Sequence, residues 1–261
     1  MMRLTDQQWT VLAPLLPRPV KRTRRGRTRQ PDREVLEGIL WILRTGAQWD
    51  ALPKGEYPSK TTCHDRFQEW NEQNVFPTVL SALYELGEEE HLLDLREAFI
   101  DGTFSPAKKG ARTSGQPKKG KGTKVMIMVD ASGVPLAVHT SSASPAEVTL
   151  VHDTLEASFG MDFPKRLIGD KAYDSDGLDV ELETLGIEMI APNRRNRKKT
   201  QDGRPLRRYR RRWKVERTIA WLQSFRRVRT RDEVKAQNFL GMVQLACIVI
   251  LLRLVTSPPV P

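Results

Sequence analysis

The hydrophobic pattern changes period near residue 96, and this change restricts the fold more than any other feature of the sequence. Before it, apolar residues recur at helical spacing. LTDQQWTVLAPLL (4–16) sets Leu4, Trp9, Leu12 and Leu16 near a 3.6-residue period, with Thr5 placed as an N-cap and Pro17 and Pro19 ending the element. Pro31 opens a second helix over DREVLEGILWILRTG, which Gly46 terminates. Ser59 caps KTTCHDRFQEWNEQ, and VFPTVLSALYELGEEE adds a fourth helix. Three or four short helices with basic loops between them suit a helix-turn-helix-like module. After residue 96 short apolar runs take over. EAFIDGTF (97–104) is one. TKVMIMVDASGVPLAVHTSS (123–142) reads as two strands joined by a tight turn at Asp130–Gly133. SPAEVTLVHDTLEASFG predicts a helix capped by Ser144, with Pro145 at its first position. KRLIGDKAYDS reads as a strand, DGLDVELETLG as a helix and IEMIAP as a strand. A long basic helix follows at about 206–228, then an apolar C-terminal helix. The order β, β, β, α, β, α, β, α predicts an α/β (α+β) domain with helices covering a mixed sheet. Residues 1–94 are expected to form the helical module and residues 95–261 the sheet domain. The chain has no internal repeat.

Charge narrows the class of partner. Lys and Arg number 43 against 32 Asp and Glu, a net charge of +11. The excess is clustered in segments 18–30, 105–124 and 194–217, the first two of which contain no acidic residue. Any one stretch could be a solvated loop. Three separated stretches suit a surface that follows a phosphate backbone, so nucleic acid is the first polyanion to consider. Two cysteines, Cys63 and Cys247, exclude a disulfide framework and a cysteine-rich zinc site. His64, His91, His139 and His152 have no metal-ligand spacing. The N-terminus MMRLTDQQW lacks an apolar signal core, and MVQLACIVILL (242–252) falls short of the roughly 20 residues of a membrane span. A cytoplasmic protein that does not enter a membrane is expected.

The acidic residues at strand ends carry the chemistry. Asp101 closes the run AFI and Asp170 closes RLIG. Carboxylates at the ends of neighbouring strands converge on one place in open sheets. Such oxygens suit Mg²⁺, and a pair of these ions can clamp both oxygens of an in-line displacement at phosphorus. Glu216 stands almost alone in the basic segment YRRRWKVERTIAWLQ. A surface ion pair with Arg212 or Arg217 is its plainest reading. However, Tyr209, Arg212, Glu216 and Gln223 line one helix face, with Trp213, Ile219, Ala220 and Trp221 as apolar flanks. Asp130 is expected in the hairpin turn, and Asp174 and Asp176 at a helix start. Trp41, Trp49 and Trp70 are expected in the core and His64 on the surface.

These motifs resemble bacterial insertion-sequence transposases of the insertion-sequence family five type, which carry an Asp-Asp-Glu (DDE) triad. FIDGTF resembles the first-aspartate strand, LIGDKAYDS the second-aspartate motif, and YRRRWKVERTIAWLQSFRR the signature that couples Tyr, Arg, Glu and Lys. The last of these positions is Gln223 here instead of lysine. The stretch from LTDQQW to HDRFQEW, with LRTGAQWDALP inside it, resembles the family's DNA-binding region, so the likeness covers nearly the whole chain. The resemblance implies a ribonuclease H-like catalytic domain. Its mixed five-stranded sheet would carry the aspartates on the first and fourth strands and the glutamate on a later helix. It implies Asp101, Asp170 and Glu216 as catalytic, metal-holding residues for two Mg²⁺ or Mn²⁺ ions. It also implies strand cleavage at transposon ends, then attack of the freed 3′-OH on target DNA. DNA contacts are expected from Tyr209, Arg212, Gln223, Lys171, Arg22, Arg24, Arg25 and Arg27. The N-terminal helices would read terminal inverted repeats, and synapsis of two ends implies a homodimer or higher assembly on DNA. A catalytically silent DNA-binding repressor and a ribonuclease H-like nuclease that cuts without joining are the competing readings. A helix-turn-helix regulator explains the basic N-terminus but not the carboxylates.

Overall fold

In the computed structural model the described residues are 3–17, 29–108, 121–195, 197 and 206–257. Arg22, Arg24, Arg25 and Arg27 lie outside them, as does much of each of the three basic segments.

The first helices form where the caps predict. Thr5 closes a capping box with Gln8 at the start of α1 (Asp6–Leu12), and a 3₁₀ turn, Ala13–Leu15, extends it. Helix α2 (Asp32–Thr45) starts after Pro31 and stops at Gly46, whose φ of 66° is the left-handed conformation that glycine adopts without strain. The Ser59 hydroxyl accepts from the backbone N–H of Thr62 to cap α3 (Lys60–Glu72), and α4 (Val75–Glu89) follows after two residues. Trp70 is fully buried, and Trp41 and Trp49 are half-buried against the same core. The His64 ring packs edge-on to Trp49 at 5.1 Å.

The sheet has five strands in the order β3-β2-β1-β4-β5. They are β1 (Ala98–Pro106), β2 (Gly122–Asp130), β3 (Pro135–Ser142), β4 (Arg166–Ile168) and β5 (Glu188–Ile190). The first three pair antiparallel, while β1–β4 and β4–β5 are parallel. This is the mixed sheet that the motif resemblance implied. The turn between β2 and β3 is built on Asp130, whose carboxylate accepts from the backbone N–H groups of Asp94, Ser132 and Val134 at 2.7–2.8 Å. Strand β1 is buried at Ala98, Phe99 and Ile100 and opens over Asp101 to Phe104.

Two expected elements differ. The helix predicted from Ser144 begins instead at Glu147, as a 3₁₀ turn (Glu147–Leu150) that leads into α5 (Val151–Glu156). Ala146 stays extended, and the Pro145 carbonyl accepts from the Lys124 ammonium at 2.6 Å, which holds the proline outside the helix. The basic helix expected over 206–228 is broken in two places. A 3₁₀ turn (Arg208–Arg211) precedes α7 (Trp213–Ser224), and extended Phe225 separates α7 from the single turn α8 (Arg226–Arg229). Arginine favours helix, so local propensity gives no break. Burial of Phe225 and Val228, with a buried Arg227–Glu233 ion pair at 2.6 Å, overrides it. Helix α6 (Asp176–Thr184) is capped by Ser175, and Asp176 lies in its first turn.

The apolar C-terminal run is part of a 21-residue helix, α9 (Ala236–Thr256). By length and composition it could cross a membrane, but 61% of its most apolar window is buried against the protein. It packs on α4 and β3, and the Asn71 side-chain amide donates to the Gln237 carbonyl at 3.1 Å. One cluster of buried apolar residues runs from Leu4 to Leu252, across the boundary expected at 94/95.

Candidate active site

Two parallel strands bring the aspartates together. Phe99 of β1 is registered against Ile168 of β4. Asp101 and Asp170 each stand two residues further along, so strand alternation turns both to the same face at the same level. Strand β4 has ended there, and Asp170 is the N-cap of the 3₁₀ turn Lys171–Tyr173, with its carboxylate accepting from the Ala172 N–H at 2.7 Å. The Asp101 carboxylate accepts from the Gly102 N–H at 2.9 Å. Burial pushes the Asp101 carboxyl above the usual range, the Arg212 guanidinium opposes this, and the charge of Asp170 adds to it. The two aspartates are thus close enough to repel.

Helix α7 lies against β1 and β2 and presents the third motif. Arg212, its N-cap, forms an ion pair with Asp101. A second guanidinium nitrogen stands 3.7 Å from the Glu216 carboxylate one turn on. Glu216 itself is 60% exposed, against 13% for Asp101, so it stands at the rim and meets the aspartates through Arg212. Burial would lower the Arg212 pKa, but Asp101 and the Tyr209 hydroxyl raise it, and the guanidinium stays charged. Tyr209 is half-buried in the turn before α7, with its ring centroid 6.0 Å from the Arg212 guanidinium carbon. Gln223, two turns beyond Glu216 on α7, donates to the Thr103 hydroxyl of β1 at 2.7 Å. Lys171 is exposed beside Asp170. Of the four positions predicted to share a helix face, Arg212 and Gln223 reach β1, while Glu216 on α7 and Tyr209 in the 3₁₀ turn meet Arg212.

The flanks of α7 divide. Ile219 packs against the core, while Trp213 and Trp221 are about half exposed and enclose Arg217 at 5.0 and 4.8 Å. The Arg217 guanidinium lies over the faces of both tryptophans. Asp174 does not cap α6. It binds Arg197 at 2.7 Å and accepts from the Arg194 N–H, and Arg194 in turn donates to the carbonyls of Lys171 and Ala172. This clamp holds the turn that carries Asp170.

Glu147 lies in the same neighbourhood, and sequence reasoning missed it. Burial pushes its carboxyl up, Lys124 opposes, and the charges of Asp101 and Asp170 add to the rise. The Tyr173 hydroxyl donates to it at 3.4 Å. Within SPAEVTL it reads only as an acidic residue in a helical first turn, and the sole local hint is the glycine that follows Asp101.

Asp101 and Asp170 offer the carboxylate oxygens that a hard divalent cation takes. The charges of the two aspartates repel, and a cation, Arg212, already rests on Asp101. Among the described residues no three His, Cys, Asp or Glu side chains are arranged as a ready-made cage for an ion.

Comparison with known proteins agrees with these motifs. Residues 4–80 match a family model described as a putative transposase of the IS4/5 family, and residues 93–250 match one described as a transposase DDE domain. The chain is 33% identical over 156 residues to a putative transposase for insertion sequence element IS402 of Burkholderia cepacia, covering 54% of this chain and 71% of that protein. It is 30% identical over 116 residues to an uncharacterized 16.2 kDa protein of the same element, covering 43% and 79%. Among solved structures it is similar to a piggyBac transposase synaptic complex with hairpin DNA, with a TM-score of 0.48 at 11% identity, covering 93% of this chain and 69% of that one. It is also similar to a Mos1 mariner paired-end complex with Mn, with a TM-score of 0.27 at 11% identity, covering 81% of each. With a DDE-domain match over more than half its length, aspartates paired at the strand ends and the glutamate helix laid against β1, the chain belongs to the DDE transposase family.

Proposed function

We propose that this transposase cleaves DNA strands at transposon ends and joins the freed 3′-OH ends to target DNA. The observation that carries this reading is the meeting of Asp101 and Asp170 at the open end of β1 and β4, within the segment matched by the DDE-domain family. Asp101, Asp170 and Glu216 would hold two Mg²⁺ or Mn²⁺ ions, which supply charge neutralisation at phosphorus and a water of lowered pKa. The residues of the chain do the rest. Arg212 can exchange Asp101 for a phosphate, because a guanidinium fork grips either oxyanion. Tyr209 supports Arg212 and offers a ring to a displaced nucleotide. The exposed Lys171 neutralises a phosphate beside Asp170. Gln223, through Thr103, ties α7 to the strand of Asp101, and its DNA contact would be a shared one. Arg22, Arg24, Arg25 and Arg27 would contact the backbone while the N-terminal helices read the inverted repeat. A homodimer or larger assembly would pair two ends, and the protein would act in the cytoplasm on the bacterial chromosome.

The test is strand cleavage of a labelled duplex carrying the element's end, with Mg²⁺ or Mn²⁺, by wild type and by Asp101→Ala, Asp170→Ala and Glu216→Ala. Metal-dependent 3′-OH ends from wild type alone, with DNA binding kept by all four proteins, are expected. Tight binding without cleavage by any of them would favour a silent repressor. Cleavage without joining would favour a nuclease.

A further inference from the structure

Helix α7 carries a second stripe beside the one that holds Arg212 and Glu216. Trp213, Arg217 and Trp221 recur four residues apart, so they share one face, about 100° further round the helix. Trp213 follows Arg212 and Arg217 follows Glu216, so the two stripes run side by side. Val215, Thr218 and Leu222 take the buried face. The second stripe is open: Trp213 is 51% exposed and Trp221 44%. Paired tryptophan rings left in water are typical of a surface that receives a partner.

Arg217 is seated between the rings. Its guanidinium carbon stands 5.0 Å from the centroid of Trp213 and 4.8 Å from that of Trp221, and the group donates to the Ser132 carbonyl in the β2–β3 turn. Gly133 makes room for it, since a Cβ there would stand 2.7 Å from a guanidinium nitrogen. Three flat groups are thus set in a row by the fold itself. The row ends at a cavity of about 820 Å³, which Trp221 helps to wall. That volume is in the range of clefts that take whole small ligands. The walls include apolar Val134, Phe225 and Ile250. Exposed Arg44, Arg226 and Arg253 also line it, from the ends of α2 and α9 and the start of α8, and no acidic residue does so among the described residues. Gly46 packs this wall tightly, because a Cβ there would stand 2.7 Å from the Arg226 Cβ.

Aromatic planes interleaved with guanidinium groups, and leading to unopposed arginines, match a polyanion that also offers flat apolar faces. Unpaired nucleic acid is that polymer: its bases stack on tryptophan and on guanidinium planes, and its phosphates pair with arginine. A duplex keeps its bases stacked on one another and would use the arginines alone. An acidic peptide would satisfy the charges and leave the row of planes without a purpose. We propose that the Trp213–Arg217–Trp221 row and the arginine-lined cavity at its end form a binding track for one unpaired DNA strand. The proposal rests on the DNA-cleaving reading above only for its place in the reaction, in which the strand would run from the phosphate at Asp101 and Arg212 across α7 to the cavity.

The experiment is anisotropy titration of the full chain with labelled oligo(dT), an abasic strand of the same length and a duplex. Wild type should bind oligo(dT) about tenfold more tightly than the abasic strand. Trp213→Ala and Trp221→Ala should each lose about tenfold on oligo(dT), Trp221→Phe should keep most of the affinity, and all three should bind duplex within about twofold of wild type. Replacing Arg44, Arg226 and Arg253 together by Ser should lower the salt slope for the single strand by about two. Equal wild-type affinity for oligo(dT) and the abasic strand overturns the proposal, and that arm needs no variant to fold. Equal losses on strand and duplex overturn it too. So does displacement of oligo(dT) by poly-glutamate as effective as by unlabelled oligo(dT), which would mark an acidic-peptide site. Binding is read without cleavage, so the two readings fail separately. Tryptophan-dependent strand binding by a chain that cuts no DNA would support the track and sink the cleavage reading. Cleavage by wild type, with wild-type oligo(dT) affinity in Trp221→Ala, would sink the track alone.

Discussion

Arg212 is a cation held where the negative charge of the site is densest. Its fork reaches Asp101 on one side and Glu216 on the other, while the Tyr209 ring supports it. An exposed pair such as Arg212–Glu216 contributes little by itself. The half-buried contact with Asp101 is different, because removing either partner leaves a charge without its counterion. If Arg212 passes from Asp101 to a phosphate during reaction, it serves binding of the transition state more than binding of DNA. Arg212→Lys keeps the charge and loses the fork. It should cut the single-turnover cleavage rate by roughly 10²-fold, the scale of losing one preorganised donor, while DNA affinity changes less than threefold. A rate near wild type, or a parallel loss of affinity, would remove Arg212 from the reacting centre.

The elements around the site explain what could be read from sequence. Asp101 and Asp170 were legible because each ends an apolar run, and parallel registration of two such runs brings their ends together. The helical spacing of Arg212, Glu216 and Gln223 was legible for the same kind of reason. Three features were not. The outward position of Glu216 follows from its pairing with Arg212. The break at Phe225 follows from burial that no local propensity records. The place of Glu147 follows from how the chain crosses after β3 onto the backbone of β1, a contact between residues 45 positions apart in sequence. The Asp174 clamp was also missed, since an acid before a helix reads as a cap. It makes a prediction for the turn that holds Asp170. The Arg197 guanidinium, then the backbone N–H of Arg194, hold the Asp174 carboxyl below its usual range. A carboxyl depressed by folding adds stability above its unfolded pKa, and that stability is lost as pH falls through the folded value. Wild type should therefore lose stability below about pH 4. Asp174→Asn should melt lower at neutral pH and show a shallower decline across the acid range. Equal slopes for the two proteins, followed by thermal melts from pH 3 to 7, would show that the clamp does not tie the turn down.

At the scale of the whole molecule, the sheet and the helical module share one core, with α9 packed on both α4 and β3. The groups that would grip an inverted repeat and those that would cut beside it are thus carried by one continuous framework. Over that framework lies a net charge of +11, gathered into three stretches, two of which lie mostly outside the described residues. Some of it is spent internally. Glu97 is buried and pairs with Arg208 and Arg211, Arg227 pairs with Glu233, and Arg231 is fully buried. Arg207 and Arg210 on the turn before α7 remain exposed, as does Lys171 beside Asp170. If these and the outlying arginines meet phosphates, each contact releases condensed counterions, and the logarithm of affinity falls linearly with the logarithm of salt. Six to ten such contacts would weaken binding by about 10³–10⁵ between 50 and 200 mM salt. Substituting Arg22, Arg24, Arg25 and Arg27 together should lower the slope by close to four contacts' worth, and Arg212→Lys should leave it nearly unchanged, since the charge survives. Anisotropy titrations of a labelled duplex at four salt concentrations measure both slopes. A flat wild-type response would mean that the basic stretches do not bind the backbone. An unchanged slope in the fourfold variant would confine the DNA contacts to the sheet side of the molecule.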